Sequence, residues 1–279
     1  MDPLQFLTTA KVAVVAGKGG VGKTTVTAVL ARAAIRRGLR VLVVELDGKL
    51  GLARLLPGVE VLALSASAAL AEYLDSHGLS RVTRRLVNSG VIDVVATASP
   101  GIDDIVVLGK IKQLEQSGLH DLIVVDGPAA GHAITFLLAA KSLLTVRGGP
   151  IHHQAAEVAA MLADPARCQV VLVTLPETTP ITEAAETAYA LEDRVGVHLA
   201  PIVVNGVDSG PALPAADAPE GSPLRLAAEF RNARRVLHEA ACCDLGDMVA
   251  LAQLILPHLP GSLLDADSIE LLADEWERR

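Results

Sequence analysis

The chain has 279 residues, 51% of them hydrophobic but only 2% aromatic, and a formal net charge of −8. A chain of this length buries a substantial single core, built here from Ala, Val, Leu and Ile. The acidic balance argues against nonspecific attraction to nucleic acid or anionic lipid. No charged-then-apolar leader opens the sequence and no apolar run reaches ~18 residues, so neither secretion nor stable membrane insertion is expected, and a cytoplasmic location is. Cys168, Cys242 and Cys243 suit a reducing compartment and lack the paired spacing of a zinc or iron–sulfur site.

Continuous apolar runs of strand length occur at Val12–Ala16, Val41–Leu46, Val91–Ala96, Leu122–Val125, Val170–Leu175 and Ile202–Val204. Helical periodicity fills 24–37, 67–88, 103–117, 131–145, 152–163 and 180–194 between them. Strands that are apolar throughout are covered on both faces, and strands alternating with helices make right-handed crossovers. The pattern predicts an α/β fold, a doubly wound, mostly parallel sheet flanked by helices, with ligands at the carboxyl ends of the strands. Residues 206–223, rich in Gly, Pro, Ala, Asp and Ser, read as an exposed, flexible loop. Beyond it Arg225–Ala241, Asp244–Gln253 and Asp267–Glu277 have helical character. The last of these is too acidic for a membrane-binding tail and is expected to pack on the domain. The whole chain, 1–279, reads as one domain with a C-terminal helical part over 224–279.

One stretch organises this pattern: Gly17-Lys18-Gly19-Gly20-Val21-Gly22-Lys23-Thr24-Thr25, set between the first strand and the first long helix. Strand, glycine-rich loop and helix in that order predict a cradle for the phosphates of a nucleoside triphosphate. Glycines let backbone N–H groups turn inward, where a Cβ would obstruct phosphate oxygens, and the helix adds its positive end. Lys23 is placed to reach the β- and γ-phosphates, and the Thr24 hydroxyl to ligate Mg²⁺.

A second lysine, Lys18, follows the first glycine. A plain phosphate loop needs no cation there, and a solvated surface lysine is the simpler alternative. With that lysine, the loop resembles the deviant Walker A loop of the P-loop NTPase family containing MinD, ParA, the nitrogenase iron protein and the arsenite-transport ATPase ArsA. The resemblance implies ATP and Mg²⁺ as cofactors, and a dimer in which Lys18 reaches the nucleotide of the facing subunit. It makes Asp47, in Glu45-Leu46-Asp47-Gly48, the candidate to orient the attacking water and to serve the metal. Asp126, closing Ile123-Val124-Val125-Asp126, resembles the Walker B carboxylate, holding Mg²⁺ through water. Gly127-Pro128-Ala129-Ala130-Gly131-His132 looks like the switch II of ArsA, with Gly127 where a hydroxyl residue is usual. Gly51 likewise stands where an asparagine is usual. Pro100-Gly101-Ile102-Asp103-Asp104 and Pro176-Glu177-Thr178-Thr179-Pro180-Ile181-Thr182-Glu183 resemble elements of the ArsA-like branch. Asn205, ending Val203-Val204-Asn205, is implied to read the adenine edge, and Pro257 and His258 to close the base pocket.

The closest resemblance is to short ArsA-like, anion-transporting ATPases of actinobacteria, whose neighbouring paralogues leave a homodimer and a heterodimer both open. The expected function is an ATP-hydrolysing dimeric switch acting on an unidentified anion, protein or membrane-complex client. Two alternatives stand beside it: an ATP-binding regulatory subunit that turns over only with a paralogue, and a positioning ATPase of the MinD/ParA kind. Three methionines and the short interval between His132 and Gly149 leave no room for a large apolar client-capturing insert.

Overall fold

A computed structural model of the chain describes residues 4–46, 51–76, 101–144, 150–259, 261 and 264–277. After the short helix α1 (Phe6–Thr9) come β1 (Val12–Gly17), α2 (Lys23–Arg36), β2 (Val41–Leu46), α3 (Leu52–Leu55), β3 (Glu60–Leu64) and α4 (Ala66–Ser76). Then follow α5 (Ile102–Ser117), β4 (Leu122–Ala129), α6 (Ala130–Leu143), α7 (Pro150–Leu162), β5 (Cys168–Thr174) and α8 (Thr178–Ala190), which runs into a π turn at Leu191–Val195. The remainder is β6 (His198–Leu199), β7 (Ile202–Val207), α9 (Pro223–Met248), β8 (Gln253–Pro257) and α10 (Ala266–Glu277). The sheet runs β3-β2-β4-β1-β5-β7-β8, with β6 beside the start of β5. Every ladder among the described residues is parallel.

Side chains alternate across a strand, so both faces of an apolar run must be covered. Val12, Val14 and Ala16 join one core with Leu42, Val44, Ile123 and Val170, under Ile105, Leu108, Phe136, Leu137 and Met161 of α5, α6 and α7. Ala13 and Val15 join the other with Val43, Val124 and Val171, under Val29 and Leu30 of α2 and Ile269, Leu272 and Trp276 of α10. The near absence of aromatics is met by Ala, Val, Leu and Ile on both sides. The expected layered α/β sheet is the fold observed.

Three expectations need correction or placement. The strand expected at Val91–Ala96 and residues 77–88 of the expected second helix lie outside the described residues, and α4 is described over Ala66–Ser76. An unexpected edge strand, β3, pairs with β2 from Leu42↔Glu60 to Leu46↔Leu64. Its five residues begin with Glu60 and are only partly buried, which hid the apolar run that marks the other strands. The two helices expected over Arg225–Ala241 and Asp244–Gln253 are one continuous helix, α9, which ends at Met248. Gln253 instead begins β8, so the 224–279 region is not wholly helical. β8 satisfies the backbone edge of β7 and sends Leu254 and Leu256 into the core. Of the expected loop 206–223, the first two residues extend β7 and Pro223 begins α9; the interval between is irregular apart from a 3-10 turn at Ala215–Asp217 and is tied to α9. The guanidinium of Arg231 pairs with Asp208 at 2.7 Å, and Asn232 bonds both backbone groups of Leu213 at 2.8 and 2.9 Å.

α10 docks against α2. Arg36 pairs with Glu270 and Asp274 at 2.5 Å each, and Trp276 donates its indole N–H to the carbonyl of Ile255 at 3.0 Å. With Trp276 buried, Trp276→Ala removes that bond and leaves a cavity beneath β8; we expect a loss of ~3–5 kcal/mol in denaturant-unfolding free energy.

Candidate functional site

β1 carries the chain to the carboxyl edge of the sheet and the loop turns back at once into α2. Gly20 and Gly22 have φ of 85° and 90°, a left-handed backbone that a side chain would strain. Gly22 occupies the N-cap of α2 with no side-chain cap, and no acidic residue stands in the first helical turn. The positive end of α2 is therefore not neutralised by its own sequence, and its leading N–H groups face the loop.

The ammonium of Lys23 is buried and folds back along the loop, donating to the carbonyls of Gly17 at 3.0 Å and Lys18 at 3.1 Å. One turn on, the Thr24 hydroxyl donates to Asp126 Oδ2 at 2.8 Å, and Thr27 approaches Oδ1 at 3.5 Å. Asp126 is buried inside β4, in register with both Val15 of β1 and Glu45 of β2. Hydroxyl and carboxylate oxygens brought together at a phosphate loop are the hard donors Mg²⁺ prefers, so these residues fit that ion. Asp47, the other expected contributor, lies outside the described residues.

Two clefts flank the loop. One, of about 270 Å³, is lined by Gly17, Lys18, Val21, Thr174, Pro180 and Glu183. In it the exposed ammonium of Lys18 pairs with Glu183 of α8 rather than turning toward its own loop. The other, of about 240 Å³, brings together Thr25, Asn205, Pro257 and His258, residues up to 233 positions apart in the chain. Asn205 donates Nδ2–H to the carbonyl of Val21 at 2.9 Å, while His258 donates its backbone N–H to Val207 at 2.9 Å. Gly19 has open space where a Cβ would stand, so the loop's outer side is clear.

The match to the CobQ/CobB/MinD/ParA nucleotide-binding domain covers residues 12–213, from the first strand past Asn205. The chain belongs to that family. Over 217 residues it is 33% identical to the ATPase BagA of Mycobacterium tuberculosis, an alignment covering 68% of this chain and 63% of that protein. It is 30% identical to an arsenical pump-driving ATPase of Escherichia coli over 65% of this chain and 32% of that one. It is 31% identical to the ATPase get3 of Schizosaccharomyces japonicus, over 55% and 54% respectively. These relatives put the chain in the ArsA-like branch of the family, and the chain spans less than two thirds of the length of each.

Two carboxylates escaped the sequence reading of the site. Glu183 is the partner of Lys18; its only signal was its place at the end of the Pro-Glu-x-x-Pro-x-x-Glu stretch. Glu45 is the one charged residue in the apolar run of β2, a position that demands a partner when buried. It accepts from the backbone N–H of Gly51 at 3.1 Å. His132, in the first turn of α6, is exposed, and its Nε2 lies 3.8 Å from Asp104. Burial, then the charge of Asp103, raise the carboxyl pKa of Asp104, against the pull of His132.

Gly127 departs from the ArsA-like pattern for a reason the sequence does not display. A Cβ on it would stand 2.4 Å from the backbone carbonyl of Val15, where β4 bulges against β1. Restoring the hydroxyl by Gly127→Thr is therefore expected to destabilise the chain by ~1–3 kcal/mol rather than sharpen the site, read by thermal unfolding. Wild-type stability with raised turnover would show that the hydroxyl belongs there.

Proposed function

We propose that the chain is a Mg²⁺-dependent ATPase that works as a dimeric switch, closing on ATP and opening after hydrolysis. The observation that carries this reading is the grouping at the end of β1. There a buried Lys23 ammonium, an uncapped helix terminus and the Thr24–Asp126 pair surround one glycine loop. The backbone N–H groups of Gly19 to Thr24 would hold the phosphates, and Lys23 would exchange its carbonyl partners for the β- and γ-oxygens. Thr24, and Asp126 and Asp47 through water, would hold Mg²⁺, which neutralises charge on the phosphates. Asp47 would orient the attacking water. Asn205, Pro257 and His258 would form the base pocket, with Asn205 supplying both an acceptor and a remaining N–H to adenine.

Lys18 supports the dimer. Its ammonium is spare within its own subunit, held only by a pair with Glu183 that is exposed, hence weak and exchangeable. A cation delivered by a second subunit acts on charge developing between the γ-phosphate and the leaving group. A second reading, a regulatory subunit with slow turnover, draws support from Gly51 and Gly127, which bring no side chain to the switches. The name of the arsenical pump-driving relatives suggests a metalloid client. For metalloid, Cys168 is buried and its thiol is pushed up to about 12, while among the described residues no three His, Cys, Asp or Glu side chains converge. The thiolate cluster of an arsenite site is not assembled among the described residues, and the client stays an unidentified anion, protein or membrane complex. No helix among the described residues is long and apolar enough to cross a membrane.

Lys18→Ala is expected to keep ATP affinity and lose turnover on the order of 10²-fold or more. Mixing it with Asp47→Asn should recover part of the activity, because one site of the mixed dimer has its own Asp47 and the partner's Lys18. Turnover per chain that is independent of dilution, with no recovery on mixing, overturns the shared-site dimer. Base choice is separately measurable: direct competition should favour ATP over GTP by about tenfold or more, and Asn205→Ala should erase the difference.

A further inference from the structure

The cleft that holds Thr25, Asn205, Pro257 and His258 has further lining. Leu264, from the segment leading into α10, and Ser268 and Leu272, from the first two turns of that helix, face the same space. All three lie beyond residues 12–213, so the cleft joins residues inside the family match to residues outside it. A nucleotide base is a flat, largely apolar ring system, and sites for such ligands are concave and mostly apolar, with a few polar groups to fix orientation. Leu264 and Leu272 supply apolar surface, and Leu264, 37% exposed, still has area to bury. Ser268, half-buried and small, leaves room beside them. This side of the cleft is also held in place. Asp265 Oδ1 accepts both the backbone N–H of Ser268 at 2.9 Å and its hydroxyl at 2.6 Å, a cap that fixes the start of α10. Farther along, Arg32 pairs with Glu270 at 2.7 Å, and Arg36 with Glu270 and Asp274 at 2.5 Å each. Both arginines stand on α2, whose first turn carries Lys23, Thr24 and Thr25. α2 and α10 are thus tied together and present Thr25 and Ser268 to one cleft.

We propose that the start of α10 is a wall of the base site, with Leu264, Ser268 and Leu272 packed against the nucleotide base, so that base binding and docking of the C-terminal helix stabilise each other. This wall presupposes the base pocket proposed above and adds to it the groups that cover the ring rather than read its edge. A ligand favours whichever state offers it more contact, and the coupling is reciprocal. Whatever factor the docked helix adds to nucleotide affinity, the bound base returns to the docked helix. The phosphates, held by the glycine loop and Lys23, do not reach this wall. A ligand with phosphates and no base therefore leaves α10 as it is.

Magnesium ADP and magnesium tripolyphosphate separate the two parts of the site, since the first carries a base and the second only phosphates. Saturating ADP should slow hydrogen exchange of the α10 amides about fivefold or more, and saturating tripolyphosphate should leave it unchanged. Ser268→Trp, which fills the cleft from the wall, should lower ADP affinity about tenfold or more while tripolyphosphate affinity stays within about twofold. Leu264→Asp, at an exposed position, should lower ADP affinity about fivefold by the same comparison. Leu271→Asp, on the same helix but 56% exposed and outside the cleft, should change neither affinity. ADP that binds without slowing exchange in α10, or slows it no more than tripolyphosphate does, overturns the proposal. So does ADP affinity that survives both Ser268→Trp and Leu264→Asp; if Asn205→Ala still weakens it, the base lies in the cleft without touching α10. A wild-type chain that binds neither ligand overturns the phosphate-loop reading itself, and this wall with it.

Discussion

The structure depends on how closely the end of β1 is pressed between its neighbours. A Cβ on Gly17 would stand 2.4 Å from the carbonyl of Val173 in β5, and one on Gly127 the same distance from the carbonyl of Val15. Bare backbone on both sides lets β4 bulge and lets β1 release the chain at the sheet's central edge. The register of β1 against β4 shifts at that place, between Val15 and Gly17. Asp126 consequently lies deep enough to meet Thr24 from the first turn of α2.

From that constraint the arrangement of charge follows. Asp126 and Glu45 are buried carboxylates on adjacent strands, each given a partner: Thr24 and Thr27 for one, the backbone N–H of Gly51 for the other. Lys23 is a buried ammonium satisfied by loop carbonyls. Such carbonyl contacts can be traded for phosphate oxygens with gain, since charge-assisted bonds to anions are the stronger kind. Lys18, by contrast, is held at the surface by a single half-buried carboxylate. Two lysines five residues apart thus occupy different electrostatic settings, one buried inside the subunit and one at its surface.

The distant parts of the chain serve the same edge. β8 and α10 close the α2 face of the sheet, with Trp276 reaching the carbonyl of Ile255. The turn after β8 sets Pro257 and His258 beside Asn205. α9 does something different: it packs by one stripe and presents another, so it adds to the domain a surface that the nucleotide site does not require.

The sequence alone determined the layered α/β fold and the phosphate loop, because both rest on local rules. Apolar runs such as Val41–Leu46 are readable as doubly buried strands, and Gly20, Gly22, Lys23 and Thr24 lie within one turn of each other. It also determined that α10 packs on the domain, since its charge is wrong for lipid. What it left undecided depends on contacts between residues far apart. β3 is too short and too polar at Glu60 to announce itself, and β8 is a strand because β7 has an edge to fill. The missing hydroxyl at position 127 has a reason that no local pattern displays: the carbonyl of Val15 occupies the space a Cβ would need. The pairing of Lys18 with Glu183 joins residues separated by 165 positions. Only the tertiary structure decides such pairs, because their energy is set by burial and distance, which no local pattern encodes.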